Sequence, residues 1–217
     1  MQKYILSLII LVSSSQIFAQ GLSFSVVLDP QITWMNSDSK RVERNGTNFG
    51  FGGGLVMDLY FAENYAFSTG LTILGTGGNL QFLDSIDFQS SGSTDIIPPG
   101  STVKYKLQYI TVPLSLKLKS NEIGYSRFFA HLGLNTHINI KATGDVEANN
   151  IHGEDIGEEI KTFMISYFVG GGLEYSLGGN TALIMGLYFT SGILDVTENP
   201  DYQANVGSIS LRVGVKF

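Results

Sequence analysis

FFAHLGLNTHINI, residues 128–140, is the stretch whose reading decides the fold. Phe128, Ala130, Leu132, Leu134, Ile138 and Ile140 fall on one parity, and His131, Gly133, Asn135, His137 and Asn139 on the other. A period of two belongs to a β-strand, whose successive side chains point to opposite faces. One face is large and apolar. The other is small or polar.

The same two-faced pattern recurs along the chain. Leu22, Phe24, Val26 and Leu28 oppose Ser23, Ser25 and Asp29; Phe49, Phe51, Leu55 and Met57 oppose Gly50, Gly52, Gly54 and Asp58. Tyr65, Phe67, Leu71 and Ile73 oppose Ala66, Ser68 and Thr72, and Ile110, Val112, Leu114 and Leu116 oppose Thr111, Ser115 and Lys117. Three later segments continue it, with Ser166, Gly170, Gly172 and Glu174, then Gly186 and Tyr188, then Ser208, Ser210, Arg212 and Lys216 on the polar face. That makes about eight strands. A soluble barrel of comparable size would be apolar inside and charged outside. Here the polar face holds too few charges to meet water, so it fits a narrow lumen, and the apolar face fits lipid. Closing the sheet leaves no unpaired backbone edge, as a bilayer requires.

The connections between these segments alternate in length. Long stretches at about 35–47, 83–102, 142–160 and 194–205 alternate with tight joins near 62–64, 121–124 and 178–180. An even-stranded barrel of the bacterial outer membrane shows this pattern, with long loops extracellular and both mature termini periplasmic. Tyr60, Phe61, Tyr65, Tyr125, Phe128, Tyr175 and Phe217 cluster near one rim, and Trp34, Phe49, Tyr105, Phe163 and Phe189 near the other, as interfacial girdles do.

Composition agrees. Charged residues make up 15% of the 217, against about 25% in soluble domains. A formal net charge of −6 argues against nucleic acid, which needs a basic footprint. The absence of cysteine excludes disulfides, thiolate metal sites and a lipid-modified N-terminal cysteine. Lys3, the apolar run Ile5–Val12 and Ile17-Phe18-Ala19 predict a signal peptide over residues 1–19, which leaves one barrel domain over 20–217. The run is about half the length needed to span a bilayer as a helix.

LQYITVPLSLKLK, residues 107–119, resembles a strand motif of the PorT-like family of outer-membrane barrels, with an apolar-x-Pro-Leu core ending in a Leu-Lys pair. The matching positions are Tyr109, Ile110, Val112, Pro113, Leu114, Leu116 and Lys117, while Thr111 stands where the family usually has an acid. FVGGGLEY and SLRVGVKF are similar to other strands of that family. The resemblance implies an eight-stranded barrel, and the family's founding member points to a structural or secretion-associated role. It implies little about activity, and neither catalysis nor a cofactor is expected. The C-terminal Val215-Lys216-Phe217 is similar to the aromatic signal read by the barrel-assembly machinery, with Phe217 as its key residue. The other expected partners are outer-membrane lipid, lipopolysaccharide and secretion-apparatus proteins.

Five charges, Asp58, Lys117, Glu174, Arg212 and Lys216, share the polar face and are expected to pair, because an unpaired charge in a confined lumen is costly. Eight strands leave an interior that side chains can fill, so a small channel is the second expectation and a general porin is not one. A lipid-directed enzyme is the third, since His137 and Ser166 face the lumen on adjacent strands. No catalytic site is assigned on that pair. The acidic stretch Asp145, Glu147, His152, Glu154, Asp155, Glu158 and Glu159 does not match a calcium-loop spacing and is read as solvated, with no metal. The glycines at 50–54 and 170–172 precede no helix, so they are read as sites of close strand packing and not as phosphate loops.

Overall fold

The computed structural model describes residues 21–90, 93–146, 148 and 151–217. The expected signal peptide and Glu147 of the acidic stretch lie outside the described residues. Among the described residues twelve strands form: β1 (Leu22–Ser37), β2 (Val42–Arg44), β3 (Asn48–Ala62), β4 (Tyr65–Phe82), β5 (Ile86–Ser90), β6 (Ser93–Ile97), β7 (Thr102–Lys119), β8 (Ser126–Val146), β9 (Ile151–Asp155), β10 (Phe163–Gly178), β11 (Thr181–Gly192) and β12 (Ala204–Lys216).

Eight of them close a barrel. Around the wall the order is β1, β3, β4, β7, β8, β10, β11 and β12, each antiparallel to the next, and β12 returns to β1. Strands β2 and β9 extend the sheet beyond the barrel on β4 and β8, while β5 and β6 form a separate hairpin. The tight joins all lie at one end of the barrel and the long connections at the other. We call these the turn end and the loop end.

The wall behaves as the alternation requires. Phe49 is 77% exposed, and Leu55, Leu71, Leu114, Leu132 and Leu187 are also exposed, which is the dry face of a lipid-embedded sheet. Ser25, Asp58, Thr111, Lys117, His131, His137, Ser166 and Glu174 are buried in the lumen. Two prolines interrupt the wall. The β4–β7 ladder omits the pairs facing Pro113, and the β1–β12 ladder omits those facing Pro30. Neither residue has an N–H to give its neighbour.

The strands are longer than the alternation of lipid-facing residues suggested, and their polarity inverts near the loop end. On β7, Leu118, Leu116, Leu114, Val112 and Ile110 face outward, followed by Gln108, Lys106 and Lys104. Inward-facing residues of the same strand change from Lys117, Ser115 and Thr111 to Tyr109, Leu107, Tyr105 and Val103. Strand β4 does the same, with Leu80 and Phe82 inside and Asn79 and Gln81 toward the outside. The barrel therefore has a membrane zone with a polar lumen and, above it, a zone built like a soluble protein.

That upper zone is filled. Met35, Leu80, Phe82, Tyr105, Leu107 and Val206 form an apolar core, closed over by Phe88 and Ile97 of the β5–β6 hairpin and by Ile156, Ile160, Val196 and Tyr202 of the other long connections. Burying these side chains contributes roughly 1.5–3 kcal/mol each, which holds the loops down on the barrel. Glu159 is fixed in this cap by the backbone N–H of Gln89 at 2.9 Å, and burial pushes its carboxyl above the ordinary range. The placement of Tyr105 in the rim girdle is corrected here, because its ring is 1% exposed inside the apolar core. Tyr60 likewise leaves the girdle: its hydroxyl accepts a hydrogen bond from Lys119 at 2.8 Å.

Candidate functional site

Alternation alone places the lumen side chains. Residues of one parity must point inward, and in a closed barrel inward positions from opposite walls meet. Asp58 comes from β3, Lys117 and Lys119 from β7, Glu174 from β10 and Lys216 from β12. β3 and β10 lie on opposite sides of the barrel. Lys117 Nζ is 2.7 Å from Asp58 Oδ2 and 2.7 Å from Glu174 Oε1, so it ties the two walls together. Lys216 bonds Glu174 Oε2, which Lys119 Nζ also approaches at 3.4 Å. Ser68 donates to Asp58 Oδ1 at 2.5 Å. Three ammonium groups thus meet two carboxylates at the turn end. Lys119 spreads its charge further over the Tyr60 ring, 4.4 Å from the centroid, and Lys117 lies 5.1 Å from the Phe129 centroid. Such contacts stabilise a cation removed from water.

Arg212 does not join this cluster. It pairs bidentately with Asp29, Nε to Oδ1 and Nη2 to Oδ2 at 2.8 Å each, and its guanidinium lies 4.4 Å from the Tyr188 ring centroid. The expected network of five charges is therefore two clusters, with Asp29 and Lys119 as further members. Asp29 was visible on the polar parity of its strand. Its partner depends on which strands meet at closure, which periodicity does not specify. Lys119 shares the parity of Lys117 and could have been found on that signal.

The histidines occupy the middle of the lumen. His137 Nδ1 is 2.8 Å from Thr111 Oγ1, and His137 Nε2 is 2.8 Å from Ser166 Oγ. Asn135 donates to the same Ser166 oxygen at 3.4 Å. A neutral imidazole has one N–H, so it donates to one hydroxyl and accepts from the other. In a nucleophilic triad a carboxylate would stabilise the imidazolium formed when the serine is deprotonated; here the third group is an uncharged threonine. His131 links Ser115 at 2.8 Å to the Tyr188 hydroxyl at 3.1 Å. The cavity beside both histidines is about 70 Å³, room for water but not for a lipid or sugar. Toward the turn end the lumen widens into a vestibule of about 490 Å³ that stops at Lys119, Glu174 and Lys216. In the acidic stretch, Asp145 pairs with Lys106, and that hydrogen bond holds its carboxyl below the ordinary range. Among the described residues, no group of His, Asp and Glu side chains is arranged to hold a metal ion.

An antiparallel sheet closed on itself, lipid-like outside and ion-paired inside, defines a transmembrane β-barrel. The family model for the outer membrane protein beta-barrel domain matches residues 18–198, and the chain belongs to that family. It is a protein of the bacterial outer membrane. Among solved structures it resembles Neisserial surface protein A, at 18% identity and a TM-score of 0.50, over 91% of this chain and 98% of that one. It also resembles Ail, the attachment invasion locus protein of Yersinia pestis, at 15% identity and a TM-score of 0.44, over 91% and 100%. OprG from Pseudomonas aeruginosa aligns at 13% identity and a TM-score of 0.43, over 91% and 96%. Identities this low describe the fold alone. No curated protein matches the sequence.

Proposed function

We propose that this chain is a non-catalytic outer-membrane barrel with a structural or secretion-associated role of the PorT-like kind. It would be exported by its signal peptide, inserted by the barrel-assembly machinery through the Phe217 end, and oriented with its long loops outside. The observation that carries this reading is the closure of the lumen at two levels. The apolar core and hairpin fill the loop end, and the lysine–carboxylate cluster crosses the turn end. What remains for other molecules is the loop cap, the turns and the outer wall.

The deciding experiment compares the secreted and surface proteome of a deletion strain with its parent. Loss of many exported proteins, restored by complementation, supports the secretion role; an unchanged proteome removes it and leaves envelope structure. Orientation has its own test, made clean by the absence of native cysteine. Lys40→Cys at the loop end is expected to react with a membrane-impermeant maleimide in intact cells, and Glu63→Cys at the turn end is not. The reverse pattern would invert the proposed topology.

Two further outcomes follow from the filled lumen. Purified barrel in planar bilayers is expected to show no stepwise conductance, and reproducible steps altered by Arg212→Ala would favour the channel. His137→Ala is expected to leave lipid A and phospholipid profiles unchanged while lowering stability by about 1–3 kcal/mol, since it leaves the Thr111 and Ser166 hydroxyls short of a buried partner. A changed lipid profile would favour the enzyme.

A further inference from the structure

On β7 the apolar belt of the outer wall ends at Ile110, while Ile140 of β8 and Phe51 and Phe49 of β3 carry it higher on nearby strands. Ile73, Ile110 and Ile138 lie in register across β4, β7 and β8. Directly above them on the outward face stand Gln108, Lys106 and Lys104 of β7 and Lys141 of β8, all exposed. Lipid headgroups begin where the apolar belt stops, so these three lysines stand at headgroup depth.

The wall beside them is bare. Gly75 lies opposite Gln108, and Gly77 lies opposite Lys106. Gly77 has φ 149°, and a Cβ there would sit 2.0 Å from the Tyr105 carbonyl oxygen, so glycine is required where β4 and β7 approach closely. The result is a groove of about 610 Å³, floored at Gly75 by backbone. Lys104, Lys106 and Lys141 line one side and the exposed rings of Phe49 and Phe51 the other.

The charge here runs against that of the chain as a whole, whose formal net charge is −6. Asp145 pairs with Lys106 at 2.5 Å and partly offsets the site, leaving cationic excess on Lys104 and Lys141. An exposed pair of this kind adds little stability. A phosphate at the same depth would gain charge-assisted hydrogen bonds from several ammonium groups at once.

We propose that this groove seats an anionic glycolipid of the outer leaflet, with a lipid A phosphate on Lys104, Lys106 and Lys141 and an acyl chain against Phe49, Phe51 and Ile73. The assignment to the outer leaflet rests on the loop-outward orientation proposed above. Cationic collar and apolar wall then meet the two halves of one amphiphile.

The test titrates folded, detergent-solubilised protein with bisphosphorylated lipid A and reads retained lipid by native mass spectrometry. The triple variant Lys104→Gln, Lys106→Gln, Lys141→Gln is expected to bind about tenfold more weakly. Dephosphorylated lipid A should show a similar loss on the unmodified protein. Lys40→Gln, at the loop tip, should bind normally, and heat-modifiable migration confirms that each variant is folded. Binding by the triple variant within twofold of the parent, or equal binding of dephosphorylated lipid A, would overturn the proposal. Phosphatidylglycerol held as tightly as lipid A would overturn the choice of a glycolipid. The titration does not depend on sidedness, so its failure is distinct from a failure of the cysteine-labelling test of orientation.

Discussion

Glu174→Ala is expected to cost the folded barrel about 3–5 kcal/mol, the largest loss from any single lumen charge. Glu174 is 2% exposed and meets Lys117, Lys119 and Lys216. Without it three ammonium groups would share Asp58, whose oxygens already bond Lys117 and Ser68. Like charges held close in a poorly solvated lumen repel, and the strands carrying them come from different parts of the wall. Glu174→Gln keeps the volume and an acceptor but not the charge, so it should lose nearly as much. Adding Lys119→Met to Glu174→Gln removes one of the three cations, and should recover a large part of the loss. Urea titration in detergent micelles, read by tryptophan fluorescence from Trp34 and by heat-modifiable migration, measures all three. A Glu174→Ala loss below about 1 kcal/mol would mean that water enters the turn end and solvates the lysines.

The membrane explains why so few charges are arranged so closely. A lipid-facing wall cannot carry them, and a filled lumen has little water to solvate them. The inward face must therefore be uncharged, as at Gly172 and Ser208, or paired, as at Glu174. Gly172 shows how tight the wall is: a Cβ there would sit 2.0 Å from the Met185 carbonyl oxygen. The glycine runs thus permit close strand approach.

The membrane zone was legible because its two faces differ in chemistry at every step. Leu114, Leu116 and Leu118 against Ser115 and Lys117 can be read without coordinates. The alternation of long and short connections is likewise the one observed, with tight joins before Tyr65, Ser126 and Thr181. The upper zone was not legible. Residues 102–109 keep the period of two, but their apolar members, Val103, Tyr105 and Leu107, point into the barrel. In sequence this looks like a change of register beside a polar loop, and Pro98-Pro99-Gly100 strengthens that impression. On β8 the parity does slip: Gln108 pairs with Lys141 and Tyr109 with Asn139, so Ile140 is an extra residue. Beyond that bulge Ala142 and Val146 face inward. Of the site, the shared face of Asp58, Lys117, Glu174 and Lys216 was readable. The division into two clusters was not, because it depends on where the first strand meets the last.

That seam is where Arg212→Ala is expected to act, lowering stability by about 3 kcal/mol and slowing barrel closure. Pairing between β1 and β12 runs from Ser25–Lys216 to Leu28–Val213 and resumes at Gln31–Ser210. The two omitted pairs are Asp29 with Arg212 and Pro30 with Leu211. Pro30 pairs normally with Phe51 on its other side, so the missing bond is one to β12. The Asp29–Arg212 side chains cross this gap with two hydrogen bonds of 2.8 Å, and Tyr188 supports the guanidinium from β11. Side chains thus fasten the seam where backbone cannot. Removing the arginine breaks the fastening and leaves a largely buried carboxylate unpaired. Arg212→Lys keeps the charge but loses the planar fork, and should fall between the parent and Arg212→Ala. Pro30→Ala restores an N–H at the seam, so Arg212→Ala should do less damage in that background. A double-mutant cycle on unfolding free energy and on refolding rate into lipid vesicles reads the coupling. Coupling well above 0.5 kcal/mol would establish that proline and ion pair serve the same closure. Strict additivity would mean that Arg212 acts only by neutralising Asp29, and that the gap at Pro30 carries no strain for it to relieve.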